Sequence, residues 1–207
     1  MRIAKASRKA IEYACRSFHY SHSAPGTQFG YNIYNDADEW CVVILFGGGA
    51  NHSMPSLFGM NSGEVLELTR VALNGKQEQT SQAVAMALRQ LHRDDPLVRV
   101  VVSYADHRQR HIGTIYQATN WIYTGTITGN ESYYYQGKWI HRRTLDNMSN
   151  GKMLQRTLPH RGASSKFRYI YCFDRKDRKR LSSLALPYPK DDDLLPCDMQ
   201  VEERTVS

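Results

Sequence analysis

Val100-Val101-Val102-Ser103-Tyr104-Ala105-Asp106, followed by His111-Ile112-Gly113-Thr114-Ile115-Tyr116-Gln117-Ala118-Thr119-Asn120-Trp121, decides the fold class. Val98 to Ala105 reads as a strand covered on both faces, because its apolar run does not alternate. Thr114 to Trp121 reads as a short helix. Working outward, Glu64 to Leu73 is a long strand, and Ser81 to His92 is a helix with Val84, Ala85, Leu88 and Leu91 on one face. Thr80 or Ser81 is its expected N-cap. Further upstream, Ala6 to Phe18 has helical spacing of Ile11, Ala14, Cys15 and Phe18. Phe29 to Tyr34 and Trp40 to Phe46 flank the turn Asn35-Asp36-Ala37-Asp38 and read as a hairpin. The first nine residues fit either a basic arm or a helix start. Downstream, Ile122 to Thr128 is a strand, and Tyr133-Tyr134-Tyr135 and Lys138-Trp139-Ile140 form a hairpin around Gln136-Gly137. Residues 144–165 read as a polar loop with room for one helix. Phe167 to Phe173 is a last strand, followed by a basic helix or turn. Antiparallel strands followed by a β-α-β-α unit predict an α/β fold, a mixed sheet flanked by helices.

At 207 residues the chain predicts one domain with an appended segment. Its 41% hydrophobic and 23% charged residues exclude disordered, collagenous and coiled-coil classes. No apolar run approaches the roughly 18 residues of a membrane span, so no membrane partner is expected, and the N-terminus lacks an apolar signal core. Four cysteines without C-x-x-C spacing predict a reduced, intracellular protein without a disulfide framework.

The net charge is +7, unevenly spread. From Lys138 to Arg180 there are thirteen Lys or Arg against three acids, whereas Asp191 to Ser207 holds six acids and one Arg. This divides the chain into a body over residues 1–190, basic in its part 138–180, and an acidic tail over 191–207 expected to be mobile. Such asymmetry points to a polyanionic partner, nucleic acid first; a solvated basic face explains it equally in kind. Lys138, Arg142 and Arg143 interleave with aromatics, a pattern that can stack on bases and hold phosphates. Lys166 and Arg168 extend the basic set. A packed edge hairpin is the structural alternative.

Ligands collect at the carboxyl ends of strands in open α/β sheets. Asp106 stands at such an end and Tyr116 lies on the helix that follows, so an acid and a phenol are available for proton transfer. A turn cap and a core tyrosine explain them without chemistry. Simple alternation along residues 64–73 places Glu67 and Thr69 on one face and Leu66, Leu68 and Arg70 on the other. An Arg among apolar neighbours needs a carboxylate or an anionic ligand. Thr80, Ser81 and Gln82 open a helix whose free N–H groups can hold phosphate, although capping also accounts for them. His19-Tyr20-Ser21-His22 fits no standard zinc pattern.

A central strand ending beside a Tyr-bearing short helix resembles the GNAT fold of acetyl-CoA-binding N-acetyltransferases. Tyr116 to Trp121 stands where that fold has Tyr-x-x-x-Gly-Phe, with Asn120-Trp121 in place of Gly-Phe. More specifically, the chain is similar to the Mom family of phage DNA-adenine modification proteins. The similarity rests on Phe18-His19-Tyr20-Ser21, Glu67 to Leu73, Ser103-Tyr104-Ala105-Asp106, Gly113 to Trp121 and Pro187-Tyr188-Pro189-Lys190, and covers about residues 3–190. The resemblance implies conversion of adenine N6 in double-stranded DNA to a methylcarbamoyl derivative. That would protect phage DNA from host restriction in the host cytoplasm. It carries functional expectations onto Tyr20, Arg70, Ser81, Asp106 and Tyr116, and more weakly onto His19. The GNAT pyrophosphate motif, Arg/Gln-x-x-Gly-x-Gly/Ala, is replaced here by Lys76-Gln77-Glu78-Gln79-Thr80-Ser81-Gln82, which has no glycine.

Chemistry on adenine N6 requires the base to be flipped out of the duplex. Asp106 is then expected to accept or orient the N6 proton and Tyr116 to protonate the leaving group. Arg70 would hold a phosphate or developing anion, and Tyr20 or the tyrosine hairpin would stack on the base. Acetyl-CoA is the expected cofactor. The product's nitrogen, which acetyl transfer does not supply, adds iron near His19 and Asp106 as a second expectation. A homodimer is expected only because C2 dimers are the commonest assembly. The competing classes are an acetyl-CoA-dependent N-acetyltransferase of a small molecule or protein, and a non-catalytic DNA-binding module.

Overall fold

The computed structural model describes residues 1–49, 51–129, 131–163, 165–194 and 201–202. The chain forms two compact units. The first comprises Met1–Ser103, Thr114–Thr124 and Tyr169–Leu186; the second comprises Tyr104–Gly113, Gly125–Arg168 and Pro187–Ser207.

In chain order the elements are β1 (Arg2–Lys5), α1 (Arg8–Ser17), β2 (Phe29–Tyr34), β3 (Trp40–Gly47), α2 (Met54–Leu57), β4 (Val65–Leu73), α3 (Thr80–Asp94) and β5 (Val100–Asp106). There follow α4 (Thr114–Ala118), β6 (Ile122–Thr128), β7 (Ser132–Tyr135), β8 (Lys138–His141), α5 (Arg142–Asp146), α6 (Gly151–Thr157), β9 (His160–Arg161), β10 (Ser165–Cys172), α7 (Arg175–Leu181) and β11 (Val201–Glu202). A seven-stranded mixed sheet runs β1-β2-β3-β4-β5-β10-β6, and a four-stranded sheet runs β11-β9-β7-β8. The expected α/β mixed sheet is what forms.

In the first unit, Cys41 to Phe46 of β3 are fully buried. The unbroken apolar run therefore marks a strand covered on both faces. On one face Ala14 and Cys15 of α1 pack on Val43, Leu45 and Ala72, with Ile11, Phe18 and Trp40 at the edge of the cluster. Tyr31, paired across from Ile44, reaches α3 through its hydroxyl, which donates to Asp94 Oδ2 at 3.1 Å. Arg99 ties together three distant segments. Its guanidinium donates to Glu64 Oε1 at 2.8 Å and to both oxygens of Asp177, at 2.8 and 2.6 Å.

Several expectations need correction. Residues 2–5 are neither a free arm nor a helix start but an edge strand on β2, with Arg2 stacked over the Tyr34 ring at 3.9 Å. Four residues carry too little periodicity to reveal a strand whose hydrogen bonds all go to residues 31–34. Helix α3 starts at Thr80. Its N-cap is Gln79, in extended conformation and without a side-chain cap bond, so neither Thr80 nor Ser81 is the cap. Residues 144–165 contain the end of α5, all of α6 and β9, elements too short for an apolar period to show. The late strand β10 lies between β5 and β6, a placement that chain order does not encode.

In the second unit, β7 and β8 form the expected hairpin, with Tyr134 opposite Trp139. β9 pairs with β7, and β11 with β9. Gly151 opens α6 so close to α5 that a Cβ there would lie 1.7 Å from the Leu145 carbonyl oxygen. Of the acidic tail, Asp191–Asp193 form a 3-10 turn and Val201–Glu202 form β11. Residues 195–200 and 203–207 lie outside the described residues, as does Cys197. Cys15, Cys41 and Cys172 are free and buried.

Candidate active site

β4 and β5 run parallel for only three pairs, Val65↔Val100, Leu66↔Val101 and Glu67↔Val102, although β4 continues to Leu73 and β5 to Asp106. Where the backbone pairing stops, side chains take over. Ser103 Oγ donates to the Leu68 carbonyl at 3.0 Å and lies 2.8 Å from the Tyr116 hydroxyl. Ser103 has one proton. With that proton on Leu68, Tyr116 is left to donate to Ser103. Tyr116 is only 7% exposed, wedged among Trp121 and Tyr169. Burial pushes its phenol up to about 12. Tyr20 and Glu67 reinforce the rise electrostatically. The site of the first unit is therefore Tyr116, Ser103, Glu67 and Tyr20, around the end of the β4–β5 pairing.

Glu67 is held from behind by the chain. At Gly49, with φ +68°, a Cβ would stand 2.3 Å from Glu67 Oε2 and 3.1 Å from its Cβ, so a larger residue would be strained there and would displace the Glu67 carboxylate. Tyr20 is 51% exposed, with its ring 4.2 Å from that of His19. His19 Nδ1 is engaged by Ser21, from both its hydroxyl and its backbone N–H.

Arg70 is not on the predicted face. The β3–β4 register slips between Leu45 and Phe46, which pair with Arg70 and Leu68 respectively. Cross-strand partners share a face, so this bulge at Thr69 turns Arg70 to the opposite side from Leu68. There Arg70 joins Leu45 on the α1 side. It donates to the Thr69 carbonyl at 2.7 Å, and its Nε is buried without a partner. Burial raises the Cys15 thiol pKa and the Arg70 charge works against that rise. Asp106 closes β5, and its carbonyl accepts the His111 N–H at 3.2 Å. It belongs to the second unit, whereas Tyr116 and His19 belong to the first.

The α3 N-terminus fits an anionic ligand. It begins a 15-residue helix with neither a side-chain cap nor an acid in its first turn, so the N–H groups of Thr80, Ser81 and Gln82 suit a phosphate. No group of three or more His, Cys, Asp or Glu able to hold a metal is found among the described residues. The expectation of iron at His19 and Asp106 therefore has no supporting ligand cluster.

A sequence profile of the Mom protein family matches residues 1–190. The chain belongs to the Mom family. The methylcarbamoylase Mom of Escherichia phage Mu is 30% identical over 140 residues, 60% of this chain and 56% of that protein. The chain thus spans little more than half the length of that relative. Among solved structures, one assigned as a phosphinothricin N-acetyltransferase superposes with TM-score 0.50 at 9% identity, covering 84% of this chain and 98% of that one. The spermidine/spermine N-acetyltransferase SpeG of Vibrio cholerae reaches 0.49 at 5% identity, over 88% and 95%. At such identities the first likeness speaks for the fold, a GNAT-type acetyltransferase fold.

In this Mom-family chain the candidate DNA-binding residues all fall in the second unit. Lys138 is exposed at the start of β8, and Arg142 and Arg143 open α5. Arg142 lies 3.7 Å from Glu131. Lys166 and Arg168 are on β10 and half-buried. Beside α5 and α6 lies a cleft of about 440 Å³ lined by Glu131 and Asp146 as well as by Arg142, Lys152 and Arg156. Ser103 and Glu67 are the site residues that the sequence reading missed. Ser103 lies in β5, but only the loss of β4–β5 pairing gives it a task.

Proposed function

We propose that this Mom-family protein is a transferase that modifies adenine N6 in phage DNA with an acetamido-type, methylcarbamoyl group, acting in the infected host cell and shielding the DNA from restriction. Family membership and the fold support the class of reaction. The observation that carries it is Tyr116, a phenol held protonated by burial and hydrogen-bonded to Ser103 where β4 and β5 part.

The adenine is flipped out of the duplex, at an unstacking cost of a few kcal/mol, and stacks on the exposed ring of Tyr20. Glu67 accepts the N6 proton as the amine attacks. Tyr116 protonates the leaving group, and the proton that Glu67 took from N6 returns to Tyr116. Acetyl-CoA, held through its phosphates by the N–H groups of Thr80, Ser81 and Gln82, would supply an acetyl group and leave as the thiol that Tyr116 protonates, and the nitrogen of the methylcarbamoyl group would come from a separate nitrogen donor. Arg70 balances negative charge from the α1 side. Lys138, Arg142, Arg143, Lys166 and Arg168 hold the duplex through its phosphates.

The test is mass spectrometry of nucleosides from plasmid DNA co-expressed with the protein. A deoxyadenosine of altered mass, lost with Tyr116→Phe and with Glu67→Gln, is the expected result. Unaltered deoxyadenosine in cells that contain the folded protein overturns the proposal.

A further inference from the structure

The four-stranded sheet of the second unit has two unlike faces. Cross-strand partners project to one side, so Ser132, Tyr134, Trp139, His141 and Arg161 share a face, and Tyr133 lies on the other. Tyr133 is buried, whereas Tyr134 is 42% exposed. Behind Tyr134 stands Trp139, with centroids 5.3 Å apart and planes at 56°. The Arg161 guanidinium lies over the Trp139 ring at 3.8 Å, and its Nε is buried without a hydrogen-bond partner. The three side chains thus brace one another and leave one ring open. The surrounding field is positive. On the same face, burial lowers the His141 pKa and the charges of Arg143 and Lys166 lower it further. Residues 125–168 carry eight Lys or Arg against two acids.

An open aromatic ring backed by a cation–π pair, in a basic field, is complementary to a ligand with both a π-face and negative charge. A phosphopeptide offers charge without the stacking ring. Duplex DNA offers phosphates but hides its base faces. We propose that this face is a stacking platform for an unpaired nucleobase within a nucleic-acid strand, with Tyr134 contacting the base, Trp139 and Arg161 positioning it, and Arg143 and Lys166 holding the adjoining phosphates. The proposal rests on the reading of DNA as substrate, and adds a second contact distinct from the Tyr116 site. Opening a duplex for chemistry on one base exposes unpaired bases, which are the ligand this platform selects.

The experiment is an anisotropy titration of the full chain with a short labelled single-stranded oligonucleotide, its duplex, and the same strand with its bases replaced by abasic sites. The single strand is expected to bind about tenfold tighter than the abasic strand, as one stacked base contributes. Tyr134→Ala should remove that margin while keeping the salt dependence, and Tyr134→Phe should restore it. Arg161→Ala should weaken the single strand more than the abasic one. Equal affinity for the two strands, an unaffected Tyr134→Ala variant, or no binding to either strand overturns the platform. A wild-type protein that shows the margin yet leaves cellular deoxyadenosine unaltered overturns the function proposed above and leaves the platform standing. Altered deoxyadenosine without the margin does the reverse.

Discussion

The two units divide the physical chemistry between them. The first unit buries long apolar strands and places its phenol among aromatic rings, where burial lifts the Tyr116 pKa. The second is built of strands of two to four residues in its own sheet, with an excess of basic side chains and an aromatic ring left in the open. A low-dielectric interior is what proton transfer needs, because it can hold a phenol protonated far above its ordinary range. A polyanion is recognised in solvent, by cations free to meet phosphates. Under the proposed function, the first unit performs the chemistry and the second grips the substrate.

The largest test of that division is Tyr116→Phe. Modification of DNA should fall by about 100-fold or more, the usual range for a lost general acid, while DNA affinity changes less than twofold. In the wild type the phenol stays protonated well past pH 10, so the rate should show no alkaline fall there attributable to this group. A large loss of DNA affinity on Tyr116→Phe would break the division.

Asp177→Asn comes next. Asp177 is 1% exposed. Burial alone would raise its pKa, but hydrogen bonds, with Arg99 foremost and Arg180 also contributing, hold it below 3.8. A folded pKa below the unfolded value stabilises above the unfolded pKa and loses that contribution as pH falls through the folded one. The variant should lose about 2 kcal/mol at neutral pH, read by denaturant unfolding, and the gap to wild type should close as pH falls below 3.8 through the lowered folded pKa. Hydrogen exchange should quicken in residues 65–102 and stay unchanged in the 132–141 hairpin.

Gly49→Ala places a methyl group against Glu67 Oε2 at a positive-φ position. Modification should drop about tenfold through the displaced base, with DNA binding intact. An unaffected rate would remove Glu67 from the mechanism. The smallest effect is expected from Lys166→Ala. It should lower the slope of log affinity against log salt by about 0.9 on duplex DNA and leave the rate at saturating DNA unaltered.

The placement of the candidate residues was partly legible in the chain itself. Tyr116 could be placed because a buried strand followed by a short helix brings a phenol to a sheet edge, and the basic stretch because charge is counted without a fold. Glu67 and Ser103 were not found, because their roles depend on where β4 and β5 stop pairing. Arg70 was assigned the wrong face because one bulged residue inverts alternation, and a bulge has no periodicity of its own.

By itself, then, the sequence determined most of the longer strands and helices, that β5 is buried, and where positive charge concentrates. These follow from local hydrophobic pattern and composition. Only the tertiary structure decided that residues 2–5 are an edge strand, that β10 enters between β5 and β6, that Arg70 joins the α1 side, and that Ser103 links Tyr116 to the Leu68 carbonyl. Those facts rest on hydrogen bonds between residues far apart in the chain, and the energy of such pairing is set by register and not by the neighbours on either side.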